Sequence, residues 1–201
     1  SLADSIPMVT DTQAARDVLH LPTDKPVIAI LPGSRAGEVE RMGRLFLDVA
    51  RQCWQQDSNL MFVLPAANEA REQQLKNLLL EYKDVPVHLV SGQSQACMAA
   101  SDVVLMASGT TTLEAMLLKK PMVVAYKLAA LSYALISRLL KVPYVALPNL
   151  LAGELLVPEF LQSAATVDNL SHELLAIIKS VDRKQMLVKR FTDLHYDLKR
   201  N

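Results

Sequence analysis

Cysteine is scarce. Cys53 and Cys97 are the only two in 201 residues, too few for a disulfide framework, and each sits among apolar neighbours, so two reduced core thiols are expected. An excess of charge is missing as well: lysine and arginine together number 21, and so do aspartate and glutamate. No overall field therefore draws the chain to DNA, RNA or an anionic membrane, and any recognition of phosphate has to be local. The longest uncharged stretch of interest, residues 128–137, is bounded by Lys127 and Arg138. It falls short of the roughly 20 residues that a spanning helix needs. No secretory signal opens the sequence. A cytoplasmic location is expected, with peripheral contact at a membrane surface left open, and no nucleic-acid partner.

Several motifs are absent too. His20, His88, His172 and His195 are scattered without metal-ligand spacing, and no cysteine or carboxylate cluster joins them, so no structural or catalytic metal is expected. Ser34 and Ser108 lack the Gly-x-Ser-x-Gly elbow of a hydrolase. Around Gly33 and Gly37 there is neither the Gly-Lys-Ser/Thr of a Walker A motif nor a Gly-x-Gly-x-x-Gly fingerprint, which removes the main support for an ATPase or an NAD dehydrogenase.

What the chain does have is apolar residues, 51% of the total, enough for a packed core. Short β-rich runs at 27–31, 60–64, 87–90, 103–106 and 122–126 read as strands, with 144–147 as a further candidate. Most lack polar alternation. Segments of helical spacing lie between or after them, at 38–55, 69–82, 94–100, 112–118 and 131–140, so each strand is followed by a crossover helix. The fold class expected is α/β, a Rossmann-like, doubly wound parallel sheet with both faces covered. After Pro148 the strands are expected to stop, leaving helices at 154–161, 168–181 and 183–199. The domain reading is a linker and lead-in segment at 1–22, a Rossmann-like domain at 23–165 and a helical extension at 166–201. The chain begins at Ser1 without an initiator methionine and reads like a piece of something longer.

Ligands of an open parallel sheet bind outside the carboxyl ends of its strands. The first such loop reads Pro32-Gly33-Ser34-Arg35-Ala36-Gly37-Glu38 and leads into a helix. Gly33 permits close backbone approach, free N–H groups at a helix start favour an anion, and Arg35 adds a forked, permanent charge. A plain turn in which Ser34 caps the helix and Glu38 complements its dipole is the competing reading. It leaves Arg35 unexplained, because a cation at a helix N-terminus opposes the dipole unless an anion lies between them. The second loop, Ala107-Ser108-Gly109-Thr110-Thr111-Thr112-Leu113-Glu114, offers small residues and hydroxyls to phosphate or ribose, with Glu114 placed to accept from sugar hydroxyls. A capping box between Thr111 and Glu114 explains the same residues equally well. In Pro148-Asn149-Leu150-Leu151-Ala152-Gly153, helix capping by Asn149 is favoured over a ligand contact. The apolar stretch 127–141, with basic ends, reads first as a core-covering helix and second as a membrane-surface contact.

Taken together, Leu31-Pro32-Gly33-Ser34-Arg35-x-x-Glu38-Val39, Ala107-Ser108-Gly109-Thr110-x-Thr112-Leu113-Glu114 and Pro148-Asn149-Leu150-Leu151-Ala152-Gly153 resemble the lipid-A-disaccharide synthase family, in the same order and at similar spacing. The resemblance continues through Met122-Val123-Val124-Ala125-Tyr126-Lys127, Val157-Pro158-Glu159-Phe160-Leu161-Gln162 and residues 191–195, and so covers essentially the whole chain. Leu2-Ala3-Asp4 is similar to the motif that joins that family's two halves.

The resemblance implies the C-terminal, donor-binding domain of a GT-B glycosyltransferase, with the acceptor site and catalytic base in an N-terminal half outside this chain. It implies transfer of 2,3-diacylglucosamine from UDP to 2,3-diacylglucosamine 1-phosphate, with inversion, at the cytoplasmic face of the inner membrane. Alone, the chain would be inactive. The UDP-sugar is then a donor substrate, and no cofactor or metal is implied. By the same resemblance Ser34 and Arg35 contact the diphosphate, with Arg35 stabilising the leaving group; Gly33 and Glu38 belong to that loop. Ser108, Gly109, Thr110 and Thr112 line the phosphate or sugar, Glu114 binds the ribose, and Asn149 and Gln162 border the donor sugar. One departure stands out: the family has Arg-Glu after Ala152-Gly153, where this chain has Glu154-Leu155. A phosphate contact from that arginine is therefore expected to be missing or supplied elsewhere, with Lys127 the candidate. Another GT-B UDP-sugar transferase or epimerase shares the second loop but not residues 148–153. A non-catalytic nucleotide-binding module is the alternative from a different class. Association into oligomers stays open.

Overall fold

The computed structural model of the protein describes residues 1–107, 109–128 and 144–200. Within them six strands, Val27–Leu31 (β1), Met61–Ala66 (β2), Val87–Ser91 (β3), Val103–Met106 (β4), Met122–Tyr126 (β5) and Glu159–Leu161 (β6), form one sheet in the order β3-β2-β1-β4-β5-β6. All five pairings are parallel.

Why these runs become strands follows from their two-sided apolar character. Successive side chains of a strand point to opposite faces. Ile28 and Ile30 accordingly join one core with Val103, Leu105, Val123 and Ala125. Val27, Ala29 and Leu31 join the other with Val104, Met106, Met122 and Val124. Such a sheet needs a helical layer on each side. Ala36–Gln56 (α3), Glu69–Leu79 (α4) and Val167–Lys179 (α8) cover the first face, where Met42, Phe46 and Leu47 meet Leu170 and Leu174. Ser94–Ala99 (α5), Thr111–Leu117 (α6) and Val181–Arg200 (α9) cover the second, through Cys97, Met98, Met116, Leu187 and Phe191. Truncating a fully buried phenylalanine such as Phe46 to alanine would cost about 3–5 kcal/mol in a core of this kind.

Expected and observed elements part in three places. Residues 144–147 form no strand. Val145 N–H is taken by Glu159 Oε1 at 2.8 Å, and a short helix, Leu147–Ala152 (α7), starts immediately with Pro148 inside its first turn. The sixth strand comes instead from 154–161, expected as a helix: Pro158 biases its predecessor toward extended backbone, and its carbonyl accepts from Val124 N–H at 3.0 Å, which draws the chain alongside β5. Strands therefore do not stop at Pro148. Third, the lead-in segment 1–22 is folded, with two short helices, Leu2–Ser5 (α1) and Thr12–Val18 (α2), and with Ala3, Ile6 and Leu21 buried in the second core. Residues 167–200 are helical apart from Ser180, and α8 is a layer of the fold, not an appendage. The expected helix at 131–140 lies outside the described residues.

The chain leaves β1 for β2 and β3, then returns to the other side of β1 as β4. At that reversal the loops after β1 and β4 diverge, and the sheet opens a crevice at its carboxyl edge.

Candidate functional site

The crevice is a cleft of about 440 Å³. Leu31, Gly33, Ser34 and Glu38 line it from the β1 side, and Ala107, Gly109, Thr110 and Thr111 from the β4 side. The rest of the lining comes from two segments not singled out in the sequence: Pro65 and Ala66 at the end of β2 with Ala67 after it, and Gly92, Gln93 and Ser94 after β3. The run Ser91-Gly92-Gln93-Ser94 carried a legible signal, small polar residues between a strand and a helix. Gly92 and Gln93 have φ of 63° and 54°, left-handed backbone that turns the chain sharply into α5.

Gly33 has φ 122°, where L residues are disfavoured. A Cβ at this position would also meet Glu38 Oε1 at 2.0 Å. The Glu38 side chain folds back over the turn: Oε1 accepts from Ser34 N–H at 3.1 Å, and Oε2 accepts from the Tyr126 hydroxyl at 3.1 Å. Burial, and then the neighbouring Glu38, hold the Tyr126 phenol above its usual pKa, so it remains a donor at neutral pH.

The capping readings of both loops fail in an informative way. The residue that caps α3 is Arg35, not Ser34, and no side chain bonds to that helix start in the N-cap manner. Ser34 and Arg35 stand exposed beside one another. Arg35 is not among the cleft-lining residues, and no described group accepts from its guanidinium. At the second loop the cap of α6 is Thr110, and the Thr111–Glu114 box does not form. Thr112 Oγ1 donates to Gly109 O at 2.7 Å, while Glu114 Oε2 accepts from Gln95 Nε2 of α5 at 2.9 Å. Ser108 lies outside the described residues.

The remaining predicted residues are placed elsewhere. Asn149 is fully buried and neither caps α7, whose cap is Ala146, nor faces the cleft. Its amide donates to Val157 O (2.9 Å) and Glu159 Oε2 (2.6 Å), and its Oδ1 accepts from Leu156 N–H (2.7 Å) and Val157 N–H (2.8 Å). Two donors and two acceptor positions are all a primary amide has, so none is left for a sugar. Gln162, with φ 54°, clamps the backbone of Leu128: Oε1 accepts from its N–H at 2.7 Å and Nε2 donates to its carbonyl at 3.1 Å. Lys127 is exposed. Glu154 pairs with Arg190 of α9 at 2.8 Å, so a cation from the last helix stands beside the position where an arginine was expected. Both cysteine thiols are buried and free, and burial pushes them up to about 11 for Cys53 and about 12 for Cys97. No described helix is long and apolar enough to cross a membrane.

Comparison with known proteins adds family and fold. The family described as lipid-A-disaccharide synthetase matches residues 1–201. The lipid-A-disaccharide synthase of Cellvibrio japonicus is 52% identical over 200 residues, which is 100% of this chain and 52% of that protein. The chain thus spans about half the length of the curated relatives it matches. Among solved structures, the C-terminal CMP-Kdo binding domain of WaaA from Acinetobacter baumannii superposes with a TM-score of 0.62 at 14% identity, over 91% of this chain and 95% of that one. The C-terminal domain of a group 1 glycosyl transferase (LpcC) from Francisella tularensis gives 0.61 at 13%, over 93% and 92%. The fold is that of the C-terminal domain of GT-B glycosyltransferases.

Proposed function

Because the chain belongs to the lipid-A-disaccharide synthetase family, we propose that it is the donor-binding half of an inverting glycosyltransferase that moves 2,3-diacylglucosamine from UDP to 2,3-diacylglucosamine 1-phosphate. The observation that carries this reading is the cleft itself. The Gly33–Ser34 turn and the start of α3 face the Gly109–Thr111 turn across the strand-order reversal, where dinucleotides and nucleotide-sugars bind open α/β sheets.

On this reading the diphosphate lies on the β1 loop, where the N–H groups opening α3 and the Arg35 guanidinium meet it. The acceptor hydroxyl attacks the anomeric carbon as the bond from that carbon to the UDP oxygen breaks. The electron pair leaves with UDP, and the hydroxyl proton goes to a base in the other half of the relatives' length. Charge grows on the departing diphosphate. A fixed cation and aligned N–H groups stabilise it without reorganising, so donor binding needs no added metal. Both substrates carry acyl chains, so the reaction takes place at a membrane surface, on its cytoplasmic side.

Calorimetric titration of UDP tests the reading, with CMP, ADP and NAD as controls; CMP matters because the WaaA domain is a CMP-Kdo binder. Saturable binding that prefers UDP and is unchanged by EDTA is expected. Equal binding of CMP, or none of UDP, would rule the reading out, and loss on chelation would point to a missed metal site.

A further inference from the structure

The Glu38 side chain sits in an odd place for a residue of an anion site. It is a carboxylate, it lines the cleft, and its Oε1 holds the Ser34 N–H that an incoming anion would otherwise take. Two roles are compatible with that position. Either the carboxylate is an internal occupant that a diphosphate must displace, or it is a strut that shapes the turn and stays in place when the ligand arrives.

The geometry favours the strut. The carboxylate bridges two elements, since Oε1 receives the Ser34 N–H of the β1 loop and Oε2 receives the hydroxyl of Tyr126 at the end of β5. Displacing it would break both bonds and leave a half-buried phenol and a half-buried carboxylate without partners. Its side chain also fills the volume above Gly33, within 2.0–2.5 Å of where a Cβ would stand, so the turn is built around it. Meanwhile the N–H groups of Arg35, Ala36 and Gly37 have no acceptor among the described residues. Arg35 caps α3 and Ala36 and Gly37 open it, so these groups cannot bond within the helix. A diphosphate has donors to use without taking Ser34 N–H.

We infer that Glu38 and Tyr126 form a positioning pair: the Tyr126-braced Glu38 carboxylate fixes the Gly33–Ser34 turn so that the open N–H groups of α3 and the Arg35 guanidinium converge on one diphosphate. The pair touches the loop, not the reacting atoms. The inference rests on the donor-site reading above. It also explains why glycine occupies position 33: the clearance is needed for the strut, in addition to the positive φ.

Two measurements on the 201-residue chain test it. The first needs no ligand: amide hydrogen exchange at Ser34. Glu38→Ala frees that N–H, and its exchange should accelerate about tenfold, the loss of one net hydrogen bond; Glu38→Gln keeps an acceptor in place and should restore most of the protection. The second is titration with UDP. Glu38→Ala should weaken binding about tenfold and Tyr126→Phe about threefold, with Glu38→Gln recovering most of the affinity that Glu38→Ala loses. A merely structural role would not show that rescue together with unchanged melting of Glu38→Gln. Tighter UDP binding by Glu38→Gln than by the wild type would overturn the strut in favour of the displaced occupant. So would unchanged Ser34 exchange in Glu38→Ala. Wild-type protein that ignores UDP while Ser34 exchange still responds to Glu38→Ala would sink the donor reading and uphold the strut.

Discussion

The two ends of the sheet use similar chemistry to opposite purposes. At the amino end Arg16 is buried and gives every arm of its guanidinium a partner: Ala100 O, Thr23 O, Lys25 O and the Asp102 carboxylate, at 2.9–3.2 Å. Asp102 also accepts from Val27 N–H at 2.8 Å. Nearby, Lys120 donates to Thr12 Oγ1 at 2.7 Å, and Lys119 donates to Leu117 O at 2.7 Å and touches the His195 ring. At the carboxyl end Arg35 stands exposed without a described partner, above N–H groups that also have none. The difference is in satisfaction, not in residue type. Buried polar groups with full hydrogen bonding hold the fold together; an exposed cation beside unpaired donors at a strand-order reversal adds no such internal bonds, and it is what the anion site proposed above requires.

If that comparison is sound, mutation should separate the ends. The largest effect belongs to Arg16→Ala, which strands Asp102 and three carbonyls at the junction of α2, β1 and β4. A loss of about 3 kcal/mol or more is expected in chemical denaturation, with UDP affinity of the folded fraction unchanged. Arg35→Ala should do the converse: binding of UDP falls about 10- to 100-fold, the worth of a charge-assisted hydrogen bond, while the unfolding midpoint barely moves. Equal losses of stability from both variants would erase the distinction.

A pH effect follows from the amino end. His195 Nε2 lies 2.7 Å from the Ala3 carbonyl, which can only accept, so Nε2 carries the hydrogen and Nδ1 accepts from Lys119. Burial, opposed in part by the Ala3 carbonyl and reinforced by Lys119 and Lys199, depresses the imidazole below its usual 6.5. Among the described residues Asp4 acts the other way, together with that carbonyl. Below pH 6.5 the unfolded chain therefore binds a proton that the folded chain refuses, and stability falls as pH falls. Urea midpoints measured from pH 7 to pH 5 should decline, and His195→Gln should flatten the decline. A depressed lysine acts in a higher window: burial lowers both Lys119 and Lys120 to about 8, so between about pH 8 and the usual lysine range they add stability as pH rises.

This division of roles also explains what could be read from the chain. Both-face apolar runs such as Val27–Leu31 and Met122–Tyr126 announced buried parallel strands, and Gly33-Ser34 announced a turn at the carboxyl edge of the sheet, because each signal is local. Asn149 was misread for the opposite reason. Its four hydrogen bonds run to Leu156, Val157 and Glu159, partners that only the return of the chain as β6 brings near. β6 itself is three residues long and half-buried, too short for any periodicity to mark. Arg16 carries no local signal at all, because its acceptors come from the end of α5, the residue before β4 and the turn before β1.

The weakest expected effect probes the edge of the open end. Glu114, assigned to the ribose only by family resemblance, is oriented by Gln95, an exposed residue whose amide sits 2.9 Å from Oε2. Gln95→Ala removes one net hydrogen bond, so UDP should bind about two- to threefold more weakly, with no measurable change in stability, since a surface amide far from the core seldom moves it by more than about 0.5 kcal/mol. So small a change is informative only through its ligand dependence. If Glu114 accepts from the sugar hydroxyls, the wild-type chain should itself bind 2′,3′-dideoxy-UDP less tightly than UDP, and Gln95→Ala should then cost nothing further, because the carboxylate it orients has lost its target. A loss of equal size for both nucleotides would mean that Gln95 acts on the cleft through the start of α5, beside Gln93 and Ser94, and that Glu114 does not read the ribose.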